Sequence, residues 1–372
     1  MLRQIGVSFS QVQRLAIIRE LVRLASKGYT KKEIILAIED YCNNTKKAFS
    51  NYLRQIGIKE WNEGGRGFVK RTIRHRDAEK YLRVVASMKL IEARGDLLLP
   101  TVYGDVIIAL RSNNNENPYA LIPKERFFFT KFLLMRDIDQ LGIIISLLRK
   151  QVMDKEEMAK HFKNMFIEVI SKRLKVCESP FQREKLQKIL YDVYRWPERW
   201  SDSPIRHRVE SRFGWLADLG LARYERENGK GRGRYVLVLN SDFDYLFQDI
   251  EKIPFMNLDK SRFDYFIHHD FHYKYTKLFF KNVTLRWKDL SPEKIRDNLK
   301  SLLSECLSKF GTVGTISAIS AIEYICCALA SKGILASFYD IMDSLQKIGE
   351  ILGPNYRFFW SEYRGDGFIK IC

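Results

Sequence analysis

The sequence predicts a mainly α-helical protein with short β-hairpins, arranged as tandem winged helix-turn-helix units. Apolar residues recur at helical spacing through most of the 372 residues. Ser, Thr and Asp residues occupy the positions just before the predicted helices, where N-cap residues are found. In two places a helix is followed directly by two short apolar strands that flank a glycine turn. Helices that lead into such a hairpin are typical of winged helices.

The first predicted domain covers residues 1–112. Thr30 and Glu33 have the spacing of a capping box, and Asp77 is predicted to cap a later helix. After that helix, two short strands flank the turn Arg94-Gly95-Asp96. This helix and hairpin predict the second half of a winged helix with a short wing.

The second predicted domain, residues 118–250, follows an asparagine-rich linker and contains the clearest unit. Ser203 and Pro204 predict the start of a helix whose apolar stripe ends at Gly220. A strand, the basic glycine loop 229–234 and a second strand come next. The pattern predicts a complete helix and wing.

The third predicted domain, residues 251–372, is helical. Its last part repeats the pentapeptide Leu24-Ala25-Ser26-Lys27-Gly28 of the first domain as Leu329-Ala330-Ser331-Lys332-Gly333. A third winged helix is one interpretation of this region.

The formal net charge of +18 indicates a polyanionic partner, and double-stranded DNA is the partner that winged helices suggest. A solvated basic surface without a ligand is the alternative interpretation of the charge.

The central unit supplies the first group of predicted DNA-binding residues. Its wing carries cations in a glycine-rich loop, which allows close approach to phosphates. The polar side of the preceding helix is predicted to enter the major groove, because the apolar stripe must face its own domain. A winged helix used for protein contacts is the alternative. The predicted residues are Arg206, His207, Arg208, Ser211, Arg212, Lys230, Arg232 and Arg234.

A second basic cluster lies in the first domain, just before and within the helix that leads to the short wing. Cations at the positive end of a helix suit a phosphate clamp, whereas a solvated loop is the alternative. The predicted residues are Lys70, Arg71, Arg74, Arg76, Lys80 and Arg83.

Motifs for catalysis, cofactors and metals are missing from the sequence. It contains no GxxxxGK[ST] loop, GxSxG elbow or dinucleotide-binding turn, so no cofactor is predicted and enzymatic activity is not favoured. The segment His268–His272 holds three histidines, which are interpreted as packing or surface residues and not as metal ligands. The six cysteines form no CxxC pair and are interpreted as buried hydrophobes. Without a signal peptide or an apolar span, a cytoplasmic location off the membrane is expected.

Residues 80–250 resemble the DNA-recognition modules of type IIS restriction and nicking endonucleases in the order of their elements. The segments that carry this resemblance are Leu97–Leu110, Phe127–Leu134, Ile143–Lys150, Asp154–Phe162, Trp215–Leu221 and Tyr235–Asn240. The resemblance implies tandem winged helices that hold and read a duplex. The nuclease domain of that family is not recognisable in this chain.

The sequence therefore predicts a double-stranded DNA-binding protein that acts as the recognition component of a restriction or defence system, with a nuclease or other effector subunit as partner. A replication initiator or transcriptional regulator is one alternative. A metal-dependent endonuclease with a diverged site and a protein-binding scaffold are two others.

Overall fold

The computed structural model describes residues 2–6, 9, 12–56, 75–111, 117–150, 155–200, 204–225, 234–238, 241–256, 259–362 and 365–371. Over these ranges the protein is mainly helical with short strands in small sheets, which confirms the predicted fold class at that level. The helices are α1 (Leu15–Ala25), α2 (Lys31–Asn44), α3 (Lys46–Gln55), α4 (His75–Ser87), α5 (Val102–Leu110), α6 (Pro123–Arg149), α7 (Lys155–Lys175), α8 (Pro180–Tyr194), α9 (Pro204–Asp218), α10 (Ser241–Lys252), α11 (Lys260–Tyr265), α12 (Phe271–Phe279), α13 (Pro292–Phe310), α14 (Ala318–Ser331), α15 (Phe338–Gln346) and α16 (Ile348–Leu352).

The strands form four small sheets. Strands β1 and β2 pair antiparallel, as do β3 and β4, whereas β5 pairs parallel with β7. The remaining sheet has the order β6–β9–β8. The strand bounds are β1 (Ile91–Arg94), β2 (Leu97–Pro100), β3 (Ala222–Glu225), β4 (Arg234–Leu237), β5 (Leu285–Arg286), β6 (Thr315–Ser317), β7 (Ile334–Leu335), β8 (Tyr356–Ser361) and β9 (Asp366–Ile371).

Local signals located several helix ends correctly. Thr30 and Glu33 form the predicted capping box at the start of α2. The predicted cap at Asp77 is wrong, because α4 begins two residues earlier at His75 and Asp77 lies in its first turn. Ser203 lies outside the described residues. Both copies of the repeated pentapeptide end a helix, and Gly28 and Gly333 take φ values of 70° and 82°, which glycine adopts without strain.

The long helix α6 forms the centre of the core. It is interrupted at Asp137, whose φ of −140° is not helical, and it packs against α7, α9, α10, α12 and α14. Buried ion pairs connect this centre and α9 with the N-terminal and C-terminal regions. They are Arg14–Asp218 at 2.6 Å, Arg19–Glu125 at 2.8 Å and Lys131–Glu323 at 2.7 Å.

The described cysteines are buried, as their interpretation as small hydrophobes predicts, and they are Cys42, Cys177, Cys306, Cys326 and Cys327. Burial raises the pKa of the Cys42 thiol to about 12, so this thiol stays protonated at neutral pH. Within the described ranges, no helix is both long enough and apolar enough to cross a membrane.

Candidate nucleic-acid interface

Helix α4 has one buried side and one side open to solvent. Tyr81, Val84, Val85 and Met88 are buried where α4 packs on α1 and α2. The Tyr81 hydroxyl accepts hydrogen bonds from the backbone N–H groups of Gln13 and Arg14, at 3.1 and 3.2 Å. The core thus fixes the rotation of α4 about its axis, and with it the side that faces outward.

The outward side of α4 carries Arg76, Lys80 and Arg83, which we call the α4 basic face. At about 100° per residue, these three positions fall within one arc of roughly 60°. Arg76 and Arg83 are exposed, whereas the side chain of Lys80 is 18% exposed and lies 3.5 Å from Asp77. Glu79, at the margin of this arc, is paired with Lys31 at 3.5 Å.

The position of Arg76 in the first turn of α4 is unfavourable for the helix itself. A cation at that end faces the positive end of the helix dipole, which costs a few tenths of a kcal/mol up to about 1 kcal/mol. The same arrangement adds the field of the dipole to the charge of the guanidinium. Such a position favours an anion such as a phosphate.

The first turn of α9 lies close to the α4 basic face. Arg206 and His207 are half-buried there, and Arg206 is paired with Glu210 at 3.1 Å. Burial lowers the pKa of His207, and the charges of Arg206 and Lys80 lower it further. The charge of Lys80 contributes to the lowered pKa of His207, so the start of α9 lies within electrostatic reach of the α4 basic face.

The rest of the polar side of α9 is not open, and the prediction that it is free to enter a major groove is wrong. Ser211 and Arg212 are fully buried. Arg212 forms two hydrogen bonds with the Asp137 carboxylate, at 2.6 and 2.8 Å, and the Ser211 hydroxyl donates to the backbone oxygen of His207. These two side chains form contacts within the core, so they are not part of the candidate interface.

Arg208 is also engaged within the protein. Its guanidinium lies 4.9 Å from the Trp196 ring centroid and 5.9 Å from that of Phe166. Burial lowers the pKa of Arg208 to about 10, with a smaller contribution from Arg212. The side chain remains charged at neutral pH, but its planar group is held by aromatic rings.

The N-terminal segment covers α9 from one side. A side chain at Gly214 would bring its Cβ atom to 2.4 Å from the backbone oxygen of Gln13, so only glycine allows this approach. The Trp215 indole donates to the Val12 backbone oxygen at 3.0 Å. A glycine inside a predicted helix is a signal of close packing, and at Gly214 that signal was available in the sequence.

Several predicted residues fall outside what the structure describes. Lys70, Arg71, Arg74, Lys230 and Arg232 lie in undescribed segments. The backbone of Arg234 pairs with Glu225 in the β3–β4 hairpin, but its side chain is not described. Contact of these six residues with DNA stays a prediction.

His268 and His269 lie in a π-helical turn between α11 and α12, and His272 lies in the first turn of α12. His272 is buried, and its Nδ1 atom lies 3.1 Å from the Ala336 backbone oxygen. Burial and the Lys131 charge lower the pKa of both His268 and His272 well below the ordinary value. Among the described residues, no three acidic, histidine or cysteine side chains are placed to hold a metal ion.

In comparisons with known proteins, no family model matches this chain, and no curated protein or solved structure gives a significant match. The resemblance to type IIS endonuclease modules therefore stays a prediction.

Proposed function

We propose that this chain binds double-stranded DNA through a winged helix-turn-helix unit built from α1, α2, α4, β1 and β2. The three helices pack on one another, and the β1–β2 hairpin directly follows α4. A single β-bridge between Thr30 and Leu97 joins the segment between the first two helices to the hairpin. In a winged helix of this order, α4 is the recognition helix.

The α4 basic face is the observation that carries this proposal. Its three cations lie on the side of α4 opposite Val85, where a recognition helix would meet a major groove, with Arg76 and Arg83 exposed and the Lys80 side chain 18% exposed. Arginine can contact guanine with two hydrogen bonds, and any of the three cations can neutralise a phosphate. Arg206 and His207, at the start of α9, would then contact the DNA backbone that flanks the groove.

A second winged-helix unit is part of the proposal for the C-terminal region. There α13, β6, α14, α15, β8 and β9 follow in chain order, and the strands lie in the order β6–β9–β8. The equivalent recognition helix is α15, which exposes Tyr339 and Asp343 and carries no Lys or Arg. DNA reading is therefore assigned to α4.

The biological setting of this binding is proposed on the sequence alone. Recognition of DNA for a restriction or defence system, with cleavage by a partner subunit, follows from the resemblance described above. An initiator or regulator would use the same basic helix, so the setting does not affect the test of DNA binding.

The test measures affinity for a labelled duplex by fluorescence anisotropy across a range of salt concentrations. Replacing Arg76, Lys80 and Arg83 together by Ala removes up to three phosphate contacts. The slope of log affinity against log salt should then become shallower by about 2 to 3, since each contact contributes about 0.9.

The matched control removes the same charge from α13, where Lys294, Arg296 and Lys300 are exposed. Their joint replacement by Ala should leave the salt slope within about 0.5 of that of the unchanged protein, because these side chains are not expected to meet the duplex. If the salt slope decreases equally in both triple variants, net charge alone drives binding. If the slope of the α4 variant is unchanged, α4 does not contact the duplex.

A further inference from the structure

The outer face of the β6–β9–β8 sheet joins two exposed aromatic rings with two cations. Phe359 and Phe368 are 44% and 41% exposed. They stand directly opposite each other on β8 and β9, with ring centroids 4.6 Å apart and ring planes 23° apart. The next pair on the same face is Arg357 with Lys370, and both side chains are exposed.

The strand register settles which residues share this face. Side chains alternate along a strand, so Phe358, Trp360 and Ile369 point to the other side. Ile369 is fully buried, and the Phe358 and Trp360 rings pack against the core. On the neighbouring strand, Thr315 and Ser317 pair with Lys370 and Phe368, which places both residues on the outer face, and the Ser317 hydroxyl caps α14 by accepting from the Ser320 backbone N–H.

We propose that this outer face binds single-stranded nucleic acid, with bases stacked on Phe359 and Phe368 and phosphates held by Arg357 and Lys370. Stacking on aromatic rings together with nearby cations is how proteins bind single strands without reading their sequence. A duplex does not suit this face, because its base surfaces are covered by the neighbouring bases of the stack.

The charges on the face favour a polyanion over a second copy of this chain. Neither Arg357 nor Lys370 forms an ion pair with the residues that the structure describes. Asp366, at the far end of the face, already accepts hydrogen bonds from the backbone N–H groups of Gly367 at 2.7 Å and Ile319 at 3.4 Å. A cross-strand aromatic pair alone would stabilise the hairpin, but it would not explain the two cations beside it.

The site is separate from the α4 basic face and does not depend on the proposed duplex binding. The probe is a fluorescein-labelled oligothymidylate of about 15 nucleotides, within the range that one single-strand binding site covers. An oligouridylate of the same length distinguishes RNA from DNA as the preferred strand. The triple Ala variant of α4 should keep its affinity for both probes.

The decisive comparison uses two double variants that keep the surface apolar. Phe359→Tyr with Phe368→Tyr retains two aromatic rings, whereas Phe359→Leu with Phe368→Leu retains apolar contact without a ring to stack on. The Tyr variant should bind within about threefold of the unchanged protein, and the Leu variant should lose about tenfold or more. Replacing Arg357 and Lys370 by Ala should make the salt slope shallower by about 1.4, at about 0.7 per contact with a single strand.

The control changes exposed aromatic residues elsewhere, Phe181→Ala with Tyr191→Ala on α8, which are 75% and 59% exposed. This variant should bind the oligothymidylate as the unchanged protein does. The proposal is overturned if the Leu variant binds normally while its thermal unfolding is unchanged. It is also overturned if sedimentation shows a dimer that the Ala replacement of both Phe residues dissociates, since the face would then bind a second copy.

Discussion

Two regions of this protein share one local pattern, but their cations lie in different surroundings. In each, a helix with several cations is followed by an antiparallel hairpin of two four-residue strands, α4 with β1–β2 and α9 with β3–β4. On α4 the cations point outward, and Arg76 and Arg83 are exposed. On α9 the cation Arg212 is fully buried against Asp137.

The difference comes from what packs on each helix. The larger contacts of α4 are with α1 and α2, whereas α9 contacts α1, α6 and α7 and is also covered by the N-terminal segment. A cation on a covered helix needs partners within the protein, as Arg212 has in Asp137, because burying an unpaired charge is costly. The number of cations on a helix therefore does not tell whether they bind DNA or hold the fold together.

The largest expected effect contrasts one arginine from each helix. Burial raises the pKa of the Asp137 carboxyl, while Arg212 and the Ile5 backbone N–H oppose that shift. Arg212→Ala leaves this carboxyl buried without its partner and should lower the free energy of unfolding by about 3–5 kcal/mol. Arg83→Ala should change it by less than about 0.5 kcal/mol. Urea unfolding of both variants measures this, and equal stabilities would contradict the contrast.

A second prediction concerns the covering of α9 by the N-terminal segment. Gly214→Ala should destabilise the protein by about 1–3 kcal/mol, because the new Cβ atom collides with the Gln13 backbone. Gly349→Ala on α16 is the matched control, since its Cβ atom would meet only the Tyr356 oxygen at 3.7 Å. That change should stabilise by up to about 1 kcal/mol. If Gly214→Ala also stabilises in thermal unfolding, the N-terminal segment does not press on α9.

A third prediction separates base reading from phosphate contact on α4. Selection from a random duplex pool would first define a preferred sequence. Arg83→Ala should then cost about 1–3 kcal/mol of discrimination between preferred and unrelated duplexes, if this side chain contacts guanine. Lys80→Ala should weaken binding to both duplexes equally, because a phosphate contact carries no base information. If Arg83→Ala weakens binding to both duplexes equally, α4 contacts only the DNA backbone.

The smallest expected effect is a pH dependence at His207. Its pKa is lower in the folded protein than in the unfolded chain. As the pH falls through the ordinary value of about 6.5, the unfolded chain therefore binds more protons than the folded protein, and the free energy of unfolding decreases. Duplex phosphates would favour the protonated ring, so binding takes up a proton and affinity should rise below about pH 6.5, by less than about tenfold. His207→Gln should flatten this rise in anisotropy titrations. If the pH dependence of duplex affinity is the same in His207→Gln as in the unchanged protein, His207 does not lie at the duplex.

The sequence by itself determined the helical fold class, the capping box at Thr30 and the two hairpins. These features depend on side-chain periodicity, on capping spacing and on glycine turns, all of which act within a few residues. The outward position of Arg83 also followed from the sequence, whereas the predicted cap at Asp77 left Arg76 outside the helix. Tyr81, Val84, Val85 and Met88 define the opposite side of the same helix, so the polar side is fixed once the helix forms.

Only the tertiary structure decided the fate of Ser211 and Arg212. The partner of Arg212 is Asp137, which is 75 residues away in the sequence, and the cover over Gly214 comes from Gln13. The pairing of Phe359 with Phe368 likewise depends on the register of β8 and β9. The apolar stripe of α9 predicted one buried side. Its polar side is buried as well, and this requires polar groups from distant segments to pair with charged side chains such as Arg212. Such long-range pairing leaves no periodic signal along the chain, because it depends on which elements meet in three dimensions.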